Sequence, residues 1–362
     1  MPGGAAFVTA LQRVWDAGDA AFPLDLRLPE AAQQATLEAM APARLIDAGG
    51  TVHTLAGGRP VEPGDALVMA TSGSSGVPKG VVLTHSAIVA SARATSRRLA
   101  VDPAADRWLA CLPLAHVGGL SVVARALVTG TPLTVLPGPD PEAVAAAGAT
   151  LVSLVPTALA RLDPAPFRVI VLGGSSPPAE LPANVVTTYG LTETGSGVVY
   201  DGVPLDGVET RIQPDGEVYL RGPMLLRAYR DGRQPTIAGG WFPTGDIGSW
   251  SDGKLFVHGR RGDMIVSGGE NVWPEPVERV LAGHPDVVEV AIAGRADPAW
   301  GQRVVAFVVP AAAADPPSLD SLRDHVKQEL PPWCAPRQLV LVDALPRTAL
   351  GKVRRGDLPS AP

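Results

Sequence analysis

Residues 71–76 read TSGSSG, six small residues in a row, and Lys79 follows after Val77 and Pro78. Small side chains let a backbone approach a ligand, hydroxyls and exposed N–H groups bind anions, and one ammonium completes the set. That is the chemistry of a phosphate cradle. The Walker loop does not describe it, because that motif needs G-x-x-x-x-G-K-[ST] opening a helix. Here Lys79 is followed by Gly80 and the extended run VVLTH, and the preceding DALVMA also reads as a strand. The expected element is strand–loop–strand, with no helix N-terminus aimed at the anion. The plain alternative is a Gly/Ser hairpin connection.

Four further stretches carry side chains capable of chemistry. TTYGLTETG ends a strand at Tyr189–Gly190 and presents Thr192 and Glu193, while WFPTGDIG puts Asp246 in a tight turn. GRRGDMIVSGGENVWPEPVE holds Arg260, Asp263, Gly268 and Gly269, and LPRTALGKVRR sets Lys352 on a Gly-containing turn. Taken singly, each has a bland reading. Tyr189 could be a strand-end aromatic, Asp246 a turn former, Glu193 a solvated acid and Lys352 a solvated lysine in a basic tail. Arg260 and Arg261 could be a surface pair. Of six histidines, His116 alone has a motif around it, CLPLAHVGG. Nine residues on, Arg125 interrupts the apolar helical run LSVVARALVTG, where a charge demands a partner or a path to water.

The elements that must hold these residues can be read from periodicity. ALVMA, GVVLTH, WLACLPL, PLTVL, TLVSLV and RVIVLGG are short apolar strand-type runs. They alternate with helical SAIVASARATSRRLA (Ser86 as its N-cap), GGLSVVARALVTG, PEAVAAAG and TALARL. This rhythm predicts an α/β fold, with mostly parallel sheets in a large N-terminal domain spanning 1–261. From about residue 201 to 261, Gly-Asp and Asp-Gly turns multiply and helices vanish, so a small antiparallel β subdomain is expected there. Residues 262–362 read helix, strand, strand, helix, a small α+β C-terminal domain, with PAAAADPP as a loop inside it.

Composition narrows the function. The 362 residues predict two or three domains, and 30 Lys+Arg against 36 Asp+Glu leave no electrostatic footprint for nucleic acid. No basic cluster suggests a membrane surface, and the apolar runs are broken by charge, so no membrane span is expected. Cys111 and Cys334 stand far apart without ligand-like neighbours, which suits a reduced, cytoplasmic setting. The start, MPGGAAFVTALQRVWDAGDA, has neither the basic opening nor the apolar core of a signal peptide.

In this order the motifs resemble the adenylate-forming superfamily: acyl-CoA synthetases, luciferases and the adenylation domains of peptide synthetases. The resemblance covers nearly the whole chain and is specific as a set. It implies that a carboxylate attacks the α-phosphate of ATP, giving an acyl adenylate and pyrophosphate. Such chemistry rests on positioning and charge neutralisation. By resemblance, Thr71, Ser72, Gly73, Ser74, Ser75, Gly76 and Lys79 would hold the β- and γ-phosphates. Thr192 would meet the α-phosphate and Glu193 would bind Mg²⁺, an oxygen-loving cation. Tyr189, followed by Gly190, would stack on adenine walled by GGSSPP, with Gly173, Gly174 and Ser175 at its start. Asp246 would accept both ribose hydroxyls, and Arg260 would reach the ribose or phosphates. Lys352 would be the catalytic lysine, Asp263 the hinge of a mobile C-terminal domain, and Gly268 and Gly269 the passage for CoA.

CLPLAHVGG is similar to the acyl-CoA synthetase stretch whose histidine lines the acyl pocket, making His116, Ser175, Gly190 and Arg125 the expected acid contacts. No carboxylate appears there to hold a substrate amine, which argues against amino acids. The opening subdomain of the family's first domain is expected to be truncated here. Among members, the length, SGGENVWP and Arg125 look most like the short o-succinylbenzoate–CoA ligases of menaquinone biosynthesis. Arg125 would then face the substrate's second carboxylate. Another aryl- or short-chain acyl-CoA synthetase, an enzyme loading a carrier protein, and a noncatalytic nucleotide-binding protein stay open. So does a homodimer.

Overall fold

The computed structural model describes residues 3–71, 78–178, 180–347 and 353–361. By contact density the chain resolves into two units, 1–211 with 219–243 and 252–254, and 212–218 with 244–251 and 255–362.

The first unit is built around a seven-stranded sheet. Its strands run in the order Val203–Pro204, Ser196–Tyr200, Val185–Leu191, Val169–Leu172, Leu151–Leu154, Trp108–Ala110, Leu133–Val135. The last five are mutually parallel, and the first two add on antiparallel. Parallel strands need covered faces, which is why Leu109, Val152, Leu154, Ile170 and Leu172 come as near-continuous apolar runs and are all buried. The chain leaves Trp108–Ala110 through the helix Val117–Thr129 to Leu133–Val135, then returns to the other side of Trp108–Ala110 at Leu151–Leu154. Such a reversal of strand order opens a crevice at the carboxyl ends of the strands.

A three-stranded antiparallel sheet carries Asp65–Thr71 and Lys79–Thr84, joined edge on by Ala228–Tyr229. The two strands expected on either side of residues 72–77 are both present. The helix that follows, His85–Arg98, begins two residues earlier than a Ser86 cap allows: Thr84 caps it, its Oγ1 accepting from the amide of Ala87 at 3.2 Å. The β-branched threonine ends the strand and caps the helix in one residue, while Ser86 bonds Thr84 at 2.9 Å.

In the second unit, Val287–Asp297 and Gly301–Pro310 form a long antiparallel hairpin extended by Ile265–Ser267 and Glu270–Val272. Gln338–Leu341 joins the hairpin in parallel, a strand that periodicity had not marked. Period-2 alternation divides its two faces. Val304, Ala306 and Val308 pack with Val277 and Leu281 of Pro274–Leu281 and with Leu322 and Val326 of Leu319–Glu329. Val305 and Phe307 face the other way, against Leu345 and Leu358. A four-stranded sheet, Glu209–Ile212, Glu217–Arg221, Phe242–Ser251, Lys254–Arg260, contributes residues to both units. Among the described residues no helix is long and apolar enough to cross a membrane.

Candidate functional site

Most expected residues of the first unit stand at carboxyl ends of parallel strands. His116 follows Trp108–Ala110, Gly173, Gly174 and Ser175 follow Val169–Leu172, and Tyr189–Gly190 close the strand Val185–Leu191. Gly190 lies opposite Gly197, where a Cβ would come within 2.2 Å of the Ser196 carbonyl oxygen, so no larger residue fits. Thr192 and Glu193 sit in the single turn Thr192–Thr194 beyond it. That turn is held by Thr194, a fully buried residue with no sequence signal beyond its neighbours. Its hydroxyl accepts from the Leu191 amide at 2.9 Å and donates its one proton to the Ser196 carbonyl at 2.6 Å, the Leu191 carbonyl at 2.9 Å being the alternative acceptor. Glu193 accepts from the Tyr229 hydroxyl through Oε1 at 3.0 Å, and its Oε2 has no hydrogen-bond partner among the described residues. A carboxylate oxygen left free of protein donors is the kind of ligand that a hard cation such as Mg²⁺ takes. Thr71 and Lys79 pair across the ends of the two strands that flank residues 72–77. Ser72, Gly73, Ser74, Ser75, Gly76 and Lys352 lie outside the described residues.

In the second unit, Asp246 departs from expectation. It lies in the interior of the strand Phe242–Ser251, not in a tight turn. TGD reads as a turn by composition, but Phe242, Thr244 and Asp246 alternate inward with the pleat. Asp246 is buried, pairs with the Arg260 Nε at 2.9 Å, and Arg260 also donates to the Thr244 carbonyl at 2.7 Å. The structure thus brings these two expected residues together. Gly268 and Gly269 form a two-residue turn between Ile265–Ser267 and Glu270–Val272, both with positive φ, the conformation that hairpins of this length demand.

His116 and Arg125 belong to the helix Val117–Thr129, at its N-cap and its middle. The His116 Nε2 bonds the Asp25 carboxylate at 3.0 Å, and Asp25 also takes the Arg27 guanidinium at 2.7 and 2.8 Å. Burial lowers the imidazole's pKa, with Asp25 opposing it. The hydrogen bonds from Arg27 hold Asp25 far below the usual carboxylate range. Sequence reasoning missed this pair because 91 residues separate its members.

Arg125 does not reach solvent. It is 3% exposed, lies 5.3 Å from the Trp108 ring, and donates to the hydroxyls of Ser153 (3.3 Å), Ser121 (3.1 Å) and Ser196. Its Nε is buried without a hydrogen-bond partner, and burial pulls its pKa down. A cavity of about 20 Å³ adjoins it, lined by Leu120, Ser121, Gly195 and Met224 among others.

Comparison with known proteins defines the class of this α/β protein. Residues 54–230 match the AMP-binding enzyme family, and residues 276–352 match the C-terminal domain of AMP-binding enzymes. The chain belongs to this adenylate-forming family. It is 40% identical, over 83% of its length and 85% of the relative's, to the "Probable 2-succinylbenzoate–CoA ligase" of Mycobacterium tuberculosis. The o-succinylbenzoate CoA synthetase of Bacillus subtilis, solved with its acyl-adenylate intermediate, is similar at 31% identity and a TM-score of 0.75, covering 85% of this chain and 72% of that one. The same enzyme solved with ATP and magnesium ion aligns over 97% and 82% of the two chains, at 28% identity and a TM-score of 0.76.

Proposed function

We propose that the protein joins o-succinylbenzoate to CoA at the expense of ATP, as its relatives' names describe, in menaquinone biosynthesis. A carboxylate oxygen attacks the α-phosphorus, the P–O bond to the β-phosphate breaks and pyrophosphate leaves. The CoA thiol then attacks the acyl carbon, C–S forms, the acyl–O bond breaks, AMP departs and the thiol proton is released.

Residues 71–76 with Lys79 would cradle the phosphates, Thr192 would meet the α-phosphate, and Asp246 with Arg260 would take the ribose. Tyr189 and the Gly173–Gly174–Ser175 wall would enclose adenine. Glu193 would hold Mg²⁺, which supplies charge neutralisation on the phosphates. Lys352 would act in adenylation. Gly268 and Gly269 would border CoA after a rotation at Asp263, with the domain boundary after residue 261. The absence of a disulfide-like cysteine pattern supports a cytoplasmic setting.

The observation that carries the substrate class is Arg125, a fully buried guanidinium whose hydrogen-bond partners are hydroxyls. A buried cation stabilised by no carboxylate is suited to an anionic ligand. o-Succinylbenzoate has two carboxylates, one to be adenylated and one to meet Arg125. The adjoining cavity holds about one water's volume, so an aryl ring would enter by displacing side chains, Met224 being the adaptable one.

ATP–pyrophosphate exchange across a panel of carboxylic acids tests the proposal. Exchange should be strongest with o-succinylbenzoate, and adding CoA should release AMP without any carrier protein. Preference for a monocarboxylate would move the enzyme to another aryl- or short-chain acyl-CoA synthetase. Exchange with none would leave a nucleotide-binding protein.

A further inference from the structure

His116 is held in an unusual way for a residue at a helix N-cap. Its ring makes no capping bond to the helix it precedes. Instead, Nε2 lies 3.0 Å from Asp25 Oδ2, and the carboxylate is 9% exposed. Asp25 accepts four hydrogen bonds in all: the Arg27 amide and Nε on Oδ1, the other Arg27 nitrogen and His116 on Oδ2. An ionised carboxylate only accepts, so Nε2 carries the proton in both states of the ring. Nδ1 is therefore the atom whose character changes on titration, and it has no hydrogen-bond partner among the described residues. Neutral, it points a lone pair outward and repels a carboxylate; protonated, it donates to one.

We propose that Asp25 is a positioning residue that fixes the ring of His116 by Nε2 and presents Nδ1 to the carboxylate about to be adenylated, so that the acid is captured by the imidazolium. This rests on the reading that His116 lines the acyl pocket. The charged groups facing the imidazole are Asp25, which favours the cation, and Arg27, which disfavours it while occupying most of the Asp25 acceptor capacity. The two act in opposite senses. Replacing them should move His116 in opposite directions, a result that loss of packing would not produce.

The test titrates His116 by NMR, its signals assigned by their loss in His116→Gln, in the wild type, Asp25→Asn and Arg27→Gln. The acid KM is measured in pyrophosphate exchange over the same pH range. KM should climb about tenfold per pH unit above the His116 midpoint, while kcat at saturating acid changes less. Midpoint and KM limb should both fall in Asp25→Asn and both rise in Arg27→Gln. If the two variants shift the same way, or the limb stays fixed while the midpoint moves, the proposal is overturned. Should Asp25→Asn fail to fold, Arg27→Gln decides alone, because it leaves the carboxylate in place. Absence of exchange in the wild type with every acid would overturn the functional reading, and the proposal with it. The NMR arm tells that failure from a failure of Asp25 to hold His116.

Discussion

Arg125 in the first unit and Arg355 in the second are both arginines withdrawn from water, and their surroundings differ completely. Arg125 meets three serine hydroxyls and the face of Trp108. Arg355 bonds both Glu278 carboxylate oxygens at 2.8 Å and reaches Glu275 and Asp263 at 3.4 Å. Burial works against the charge on each. At Arg125 it prevails and the pKa falls below its ordinary value; at Arg355 the field of Glu278, then Glu275 and Asp263, outweighs it and the pKa rises. The second arginine is neutralised by its own fold and ties Asp263 to the helix Pro274–Leu281. Among the described residues the first meets only dipoles and an aromatic face, an arrangement that costs stability.

Removing each charge should therefore have unequal effects on folding. Arg355→Met leaves Glu278 and Glu275 buried without their cation, and breaking such pairs costs about 3–5 kcal/mol. With Arg355 one-fifth exposed, the lower end, about 3 kcal/mol, is expected in denaturant unfolding. The pH dependence of that loss has a definite sign. Burial already raises the pKa values of Glu275 and Glu278 against the pull of Arg355. Without the arginine they rise further, so the folded state binds protons that the unfolded state has released. Stability of the variant should fall as pH rises above the unfolded carboxylate value and recover on acidification towards it. A pH-independent loss would mean that packing, not charge, is what Arg355 contributes. Arg125→Met should move stability by less than about 1 kcal/mol in either direction, since it removes a charge that burial disfavours and the serine hydroxyls can rotate to other partners. A loss as large as that of Arg355→Met would make Arg125 a structural residue.

The same contrast marks what was legible in the sequence. Local patterns were: the two strands flanking residues 72–77, the parallel strands, and the helix–strand–strand–helix run of residues 274–329 follow from periodicity within short windows, whereas Ile265–Ser267, Glu270–Val272 and Gln338–Leu341 did not. Turn chemistry misled once, at Asp246, where TGD lies within a strand because a pleat places its aspartate inward. The cap shifted from Ser86 to Thr84 for an equally local reason. Long-range pairing was not legible. Asp25 and His116 meet across 91 residues and Arg355 and Glu278 across 77, and no spacing rule links such positions. Arg355 looked like one more charge in the basic tail GKVRR, although its neighbour Arg354 is the solvated one. Arg125 was legible as an oddity, a charge in an apolar helical run. Ser121, one turn earlier in the same helix, was within reach of a spacing rule, but Ser153 and Ser196 come from two other strands and could not be foreseen.

The most direct test of the role given to Arg125 is the kcat/KM of Arg125→Ala with o-succinylbenzoate and with a monocarboxylate analogue lacking the second acid group. A charge-assisted hydrogen bond in a desolvated site contributes roughly 1.5–3 kcal/mol, so the dicarboxylate should lose on the order of 10- to 150-fold. Lysine in place of arginine should restore part of that, keeping charge without the planar fork. The analogue should lose little, because it has nothing to offer the guanidinium. Equal losses with both acids would contradict the assignment and leave Arg125 a buried structural charge.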